Sequence, residues 1–373
     1  MRAGLRTMLV LGCAPPLLLL TCVDTTNERT HVETTIGSAQ ASGTSVDVED
    51  GLAAVRLLDG SHLSLWGQAP SLVVRMKRAP DAPPAFVLTV NNAMPDAVLE
   101  AVTSTGTPVT IAALPGDRPT QKQWSVTLPP GSDATLRVHP ARGEPTTPWR
   151  FALLSDIQEA IDRVQDIYAR MNADPSIAFV VSAGDLTTQG KVDQLDRFQR
   201  ELERLSVPFF STLGNHELGT SSVPFHDYFG RADFRFVYGS MQFTFLDSGS
   251  ATLDPLVYQW LDGWLAEGQN RLHTVIMHIP PVDPIGVRNG SFADRDEAAK
   301  LLAKLAGGHV DLTLYGHIHS YYPFSNAGIP AYISGGGGAI PERFDGIGRH
   351  YLTIDVDPTQ VILQTAVVRI DRD

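Results

Sequence analysis

At five places in the sequence an apolar run stops and an Asp, Asn or His follows within two or three residues: Asp156, Asp185, Asn215 with His216, His278, and His317 with His319. Taken singly, each reads as an ordinary helix cap or an isolated structural histidine. Together they read as one site, because Gly184, Gly214 and Gly316 lie beside them and let backbone pass close to a ligand. Ligand sites of α/β folds sit beyond the carboxyl ends of strands, which is where these residues fall. Two carboxylates, an amide and three imidazoles, with no thiolate, suit borderline divalent ions better than calcium alone or an iron–sulfur cluster. His317-x-His319 on a turn can send two imidazoles to neighbouring metals, and Asp185 can bridge two ions through its two oxygens. Two ions about 3.5–4 Å apart form a clamp for phosphoryl transfer: one acidifies the attacking water and both neutralise developing charge.

The elements that must position these residues follow from periodicity. Trp149–Leu154, Ile177–Val181, Val207–Leu213, Phe243–Leu246, His273–Met277 and Val310–Leu314 are short apolar runs expected of strands covered on both faces. Between them lie helical stripes: Ile157 to Met171, with Asp156 and Glu159 readable as a capping box, and Val192 to Leu205. Two more helices are expected from Asp254-Pro255 onward and over 293–306. Strands accumulate again at Ala331–Ile333, Tyr351–Val356 and Val361–Ile370. This grammar predicts two packed sheets covered by helices over 149–373. Residues 46–148 differ. Eight short runs punctuated by Pro, Gly and Asn predict an all-β sandwich, closed by the Pro145–Pro148 stretch. It holds no cluster of His, Asp or Glu, so an accessory role is expected.

The formal charge is -12, and nearly all of it falls in residues 151–373. That acidity argues against non-specific nucleic-acid binding, which needs a cationic footprint, and leaves a nucleotide only as a substrate. Both cysteines, Cys13 and Cys22, fall in the first 22 residues, so neither a disulfide framework nor a thiolate metal cluster is expected. That segment has Arg2 and Arg6 in front of a broken apolar stretch from Met8 to Leu20. It reads as an export signal rather than a membrane span, which needs about 20 apolar residues. Leu19-Leu20-Thr21-Cys22 resembles a bacterial lipoprotein box, which makes Cys22 a candidate acylation site and membrane anchor. A periplasmic or cell-envelope location follows from this reading. Residues 23–45, rich in Thr, Ser and Gly without a periodic apolar face, read as a flexible tether.

Asp156-x-Gln158, Gly184-Asp185, Gly214-Asn215-His216-Glu217, His278 and Gly316-His317-x-His319 resemble, in order, the signature of calcineurin-like metallophosphoesterases. The resemblance implies a four-layer α/β/β/α sandwich and hydrolysis of a phosphomonoester or phosphodiester by water activated at a two-metal centre of Mn, Fe or Zn. By position it implies Asp156, Gln158, Asp185 and His319 around one ion, and Asp185, Asn215, His278 and His317 around the other. His216 would face the substrate with Asn215, stabilising a phosphoryl oxygen or protonating the leaving group, with Glu217 as a candidate orienter of its ring. Gln158 departs from the histidine usual at its position and makes a weaker, neutral donor. The preceding sandwich resembles the architecture of purple acid phosphatases, but Thr188 stands where their tyrosine ligand would be. Small-molecule, lipid, nucleotide and phosphoprotein esters all remain open. The alternatives are an inactive surface binding protein on the same fold and an adhesion module on a structural α/β domain. Further candidates are His226 as a substrate contact, Gly335–Gly338 as a tight turn near the cleft, and Arg288 or Arg295 as phosphate contacts.

Overall fold

Buried and exposed residues alternate along Leu72–Arg78 and Asp133–Pro140, which is the pattern of strands with one face on a core. A computed structural model describes residues 25–370 apart from 130, 221–222, 287–289, 343–345 and 360–361. The expected leader with Cys22, and Arg288, lie outside the described residues.

Among the described residues the first element is helix α1 (Thr26–Glu33), capped by Thr25, and ten strands follow it. These are β1 (Ser38–Ala41), β2 (Thr44–Val48), β3 (Ala53–Leu58), β4 (His62–Gly67), β5 (Leu72–Arg78), β6 (Ala85–Asn91), β7 (Ala97–Thr103), β8 (Thr110–Leu114), β9 (Gln121–Thr127) and β10 (Asp133–Pro140). They form two five-stranded sheets, β1-β2-β5-β10-β7 and β3-β4-β6-β9-β8. Leu65, Val74, Leu88, Val90, Trp124 and Leu136 fill the space they enclose. The tether expected over 23–45 is therefore corrected: those residues carry α1, β1 and the start of β2. Apolar periodicity missed α1 because its docked face is polar, with Arg29, Thr30 and Glu33 all buried.

Beyond the sandwich come β11 (Trp149–Leu153), α2 (Gln165–Asn172), β12 (Ile177–Ser182), α3 (Val192–Leu202), β13 (Phe209–Ser211) and the short α4 (Phe225–Phe229). Then follow β14 (Phe234–Tyr238), β15 (Met241–Leu246), α5 (Pro255–Gly268), β16 (Leu272–Met277), α6 (Arg295–Gly307) and β17 (Leu312–Tyr315). The last strands are β18 (Tyr321–Asn326), β19 (Ile329–Ser334), β20 (His350–Asp357) and β21 (Ile362–Arg369). One sheet has the order β13-β12-β11-β20-β21 and the other β14-β15-β16-β17-β19-β18. Phe151, Phe179 and Phe210 of the first meet Phe236 and Phe243 of the second, with Phe151 and Phe243 5.0 Å apart edge to face. The opposite face of the first sheet is covered by α2, α3 and α4, and that of the second by α5 and α6. Helix, sheet, sheet and helix thus make four layers. The expected helix over 157–171 is interrupted, with a 3-10 turn over Gln158–Arg163 before α2. The Asp156–Glu159 capping box does not form, because Asp156 lies at φ 61° and its carboxylate accepts from the His317 N–H instead.

The parallel runs β11, β12, β13 and β15, β16, β17 end on one edge of the two sheets. That edge carries every residue of the motif set.

Candidate metal centre

Asp156 follows β11, Asp185 follows β12, and Asn215 with His216 follow β13. His278 follows β16, while His317 and His319 follow β17. Asp156, Asp185 and His319 converge so that one ligand atom of each lies within 4.8 Å of the others, and all three are buried. Asp185 turns its two oxygens to different neighbours. Its Oδ1 lies 3.2 Å from His278 Nε2 and accepts the His216 N–H at 2.9 Å, while Oδ2 accepts from Gln158 Nε2 at 2.8 Å. Asn215 Oδ1 lies 2.9 Å from His278 Nε2 and 2.8 Å from His317 Nδ1. His319 Nε2 is 3.5 Å from Asp156 Oδ1.

The backbone is strained where these side chains leave it. Asp156, Gln158, Asp185 and His317 have φ of 61°, 47°, 54° and 68°, a region that side chains other than glycine enter reluctantly. Two of the expected glycines are required by close approach. A Cβ at Gly214 would collide with the Asp185 carboxylate, and one at Gly316 with that of Asp156. Gly335–Gly338 form the expected tight turn, with the Gly337 N–H donating to the Ser155 carbonyl at 2.8 Å beside Asp156.

Backbone carbonyls fix the histidines. His278 Nδ1 lies 2.9 Å from the Ala183 carbonyl, His319 Nδ1 2.7 Å from that of Ile340, and His216 Nδ1 2.8 Å from that of Thr188. A carbonyl only accepts, so each Nδ1 carries its proton and leaves Nε2 as the atom facing the cleft. This corrects the expectation for Glu217, which does not orient His216. Its buried carboxylate accepts from the backbone N–H groups of Asp185, Thr187 and Gly214 at 2.9, 3.0 and 2.9 Å. Glu217 thereby ties the loop after β12 to the loop after β13. No sequence signal separates this role from ring orientation, because both need an acid at that position.

His226 is likewise corrected as a substrate contact. It is buried on α4, with Nδ1 3.0 Å from the Gly230 carbonyl and 3.8 Å from Glu33 Oε1, so it packs against α1. Arg295 opens α6 and is exposed. Gln158 reaches the cluster, but its amide nitrogen faces Asp185 Oδ2 and His319 Nε2, the latter at 3.2 Å. Ligation by Gln158 requires the amide to turn its oxygen inward.

The donor set fits a cation. Burial, and then the negative Asp185, hold the Asp156 carboxyl well above the usual carboxylate range, with His278 opposing. Burial acts in the same sense on Asp185, but His278 and His216 outweigh it and lower its pKa. His278 is pushed up to about 9: burial opposes the charge, and Asp185, Asp156 and Glu217 overcome it. Glu217 rises to about 7 through burial and its nearness to Asp185. Without a metal, a proton on His278 is what lets Nε2 face Asn215 Oδ1. Two buried carboxylates whose charge is balanced by imidazoles are the arrangement that divalent ions neutralise.

Residues 150–321 match the family model described as calcineurin-like phosphoesterase. The fold is an α/β sandwich of two sheets between helices, preceded by an all-β sandwich, and the matched residues lie in its α/β part. Among solved structures the chain is similar to PhoD, with 13% identity over 82% of this chain and 88% of that one at a TM-score of 0.46. It is also similar to a dimetal phosphatase from Danio rerio, with 15% identity over 60% and 99% of the two chains at a TM-score of 0.44. A third is GAP50, the anchor in the inner membrane complex of Plasmodium, with 15% identity over 61% and 90% at a TM-score of 0.42. No curated protein matches the sequence.

Proposed function

We propose that this protein is an exported phosphoesterase that hydrolyses a phosphomonoester or phosphodiester at a centre for two metal ions of the Mn, Fe or Zn type. The observation that carries the reading is the division of Asp185, with one oxygen toward His278 and the other toward Gln158. Asp156, Gln158, Asp185 and His319 hold one ion, and Asp185, Asn215, His278 and His317 the other. Bound there, the two ions supply acidified water and neutralise charge on the phosphoryl oxygens.

The rest of the work belongs to side chains. His216 is one-third exposed, at 33%, and its ring is fixed by the Thr188 carbonyl, so Nε2 faces the cleft 3.9 Å from Asp185 Oδ2, where a substrate can reach it. Protonated on both nitrogens, it hands the Nε2 proton to the leaving oxygen. Asn215 and His216 together orient the phosphoryl group. The leader over 1–22 and acylation at Cys22 belong to the same reading. With α1 starting at Thr26, an anchor at Cys22 would hold the protein close to a membrane surface. Among the described residues no helix is long and apolar enough to cross a membrane.

The test compares mono-aryl and bis-aryl phosphates with Mn, Fe, Zn, Ni and Mg. Asp185→Asn is expected to abolish turnover together with metal uptake. His216→Ala should keep its metal and lose about 10²-fold or more in kcat. Failure of both esters with every ion would sink the enzyme reading. Metal uptake without turnover would favour the binding protein instead.

A further inference from the structure

Helix α1 lies outside the metallophosphoesterase sandwich in sequence, yet its docked face meets the edge that carries the metal centre. Arg29 is 1% exposed and donates from Nε to Asp247 Oδ2 at 2.8 Å and from Nη2 to Ser250 Oγ at 3.0 Å. Asp247 follows directly on β15, the neighbour of β16. Its Oδ1 accepts the Gly249 N–H at 2.9 Å, closing the turn over residues 247–249. That turn backs the metal centre in two places. Ser248 Oγ accepts the Ile279 N–H at 2.8 Å, next in sequence to His278. Gly249 lies so close to Gly214, which precedes Asn215, that a Cβ on it would stand 3.2 Å from the Gly214 carbonyl. His278 and Asn215 are the two residues that meet at 2.9 Å.

We propose that Arg29 is a positioning residue for the Asn215–His278 half of the centre, acting through the Asp247–Gly249 turn, so that α1 is a part of the catalytic unit. The inference rests on the two-ion reading above. The charge balance makes Arg29 hard to replace. Asp233 Oδ1 accepts the Asp247 N–H at 2.8 Å, and Glu33 accepts the N–H groups of Ala232 and Asp233. Without the guanidinium, the buried Asp247 carboxylate faces those of Asp233 and Glu33 with its Oδ2 left without the Arg29 bond. Groups that orient metal ligands from behind typically change affinity by about 10–100-fold when removed.

The experiment titrates the full chain with Co2+, following visible absorption and heat. Wild type is expected to take two equivalents, and His278→Ala identifies the one that depends on the Asn215–His278 half. Arg29→Met should weaken that same equivalent by about tenfold or more and leave the other unchanged, with Arg29→Lys intermediate. Asn27→Ala cuts a different anchor of α1, the bond from Nδ2 to Asp254 Oδ2 at 3.1 Å, and should leave both equivalents intact. If Arg29→Met does not fold, Asp247→Asn reads the same bond from the other side. Wild-type affinities for both ions in Arg29→Met, or equal weakening in Asn27→Ala, would overturn the proposal. A wild-type chain that takes fewer than two ions would overturn the two-ion reading itself, whatever the variants do.

Discussion

Among the residues proposed to hold metal, Gln158 offers the weakest donor. Its amide is neutral, and its nitrogen rather than its oxygen faces Asp185. An imidazole there would bind borderline metals better, and His tolerates the φ of 47° that Gln158 adopts. Gln158→His is therefore expected to tighten zinc at the Asp156–Asp185–His319 group by about tenfold, read by competition with a chromophoric chelator. An unchanged affinity would mean that residue 158 does not face the ion. Gly316 makes the opposite case. Any side chain there enters the space of the Asp156 carboxylate and lies 3.2 Å from His278 Nδ1. Gly316→Ala should lower metal affinity and cost about 1–3 kcal/mol of stability, measured by urea unfolding with and without metal.

At the scale of elements, β16 shows how one strand separates a structural histidine from a candidate ligand. His278 leaves its carboxyl end, whereas His273 near its start is buried with Nε2 2.8 Å from Thr244 Oγ1. Burial pushes His273 down to about 4. The unfolded chain then binds the extra proton between about pH 6.5 and 4, so stability is complete above that window and falls as pH drops through it. The full loss is on the order of 3 kcal/mol. His273→Gln should flatten the pH dependence of urea unfolding in that range, and an unchanged slope would refute the assignment. Glu217 acts between elements. Glu217→Ala leaves three buried N–H groups without their acceptor and should cost about 3–5 kcal/mol, with loss of metal binding.

At the scale of the molecule, the all-β sandwich grips the α/β part through side chains that mimic a strand. Asn92 donates from Nδ2 to the Phe209 carbonyl at 2.8 Å and accepts the Phe209 N–H at 2.7 Å, pairing with the edge strand β13. Trp66 packs edge to face on Phe229 at 5.6 Å, and Gln68 bonds the backbone of Arg231 in both directions. β13 leads into Gly214 and Asn215, so this interface bears on the metal centre as well as on domain docking. Asn92→Ala should destabilise the protein by about 2–4 kcal/mol and lower the affinity for metal. Calorimetry with and without metal would check it, and an unchanged metal-dependent shift in Tm would confine Asn92 to docking.

The sequence by itself determined which polar side chains stand at the strand ends. Asp156, Asp185, Asn215, His278, His317 and His319 were legible as one group because apolar runs mark where strands stop, and the structure brings Asp156, Asp185 and His319 together as a candidate metal cluster. Two packed sheets covered by helices and the preceding sandwich were legible because periodicity records which face a strand or helix buries, while the four-layer order came from the family resemblance. Only the tertiary structure decided what stands behind the ligands. Arg29 and Asp247 are 218 residues apart, Asn92 and Phe209 117, and a polar pair at such separation leaves no period in the sequence. Thr188 and Ile340 act through their carbonyls, which every residue type provides. His226 was expected as a substrate contact and lies instead against α1, because burial and partner, set by the whole chain, decide what an imidazole does.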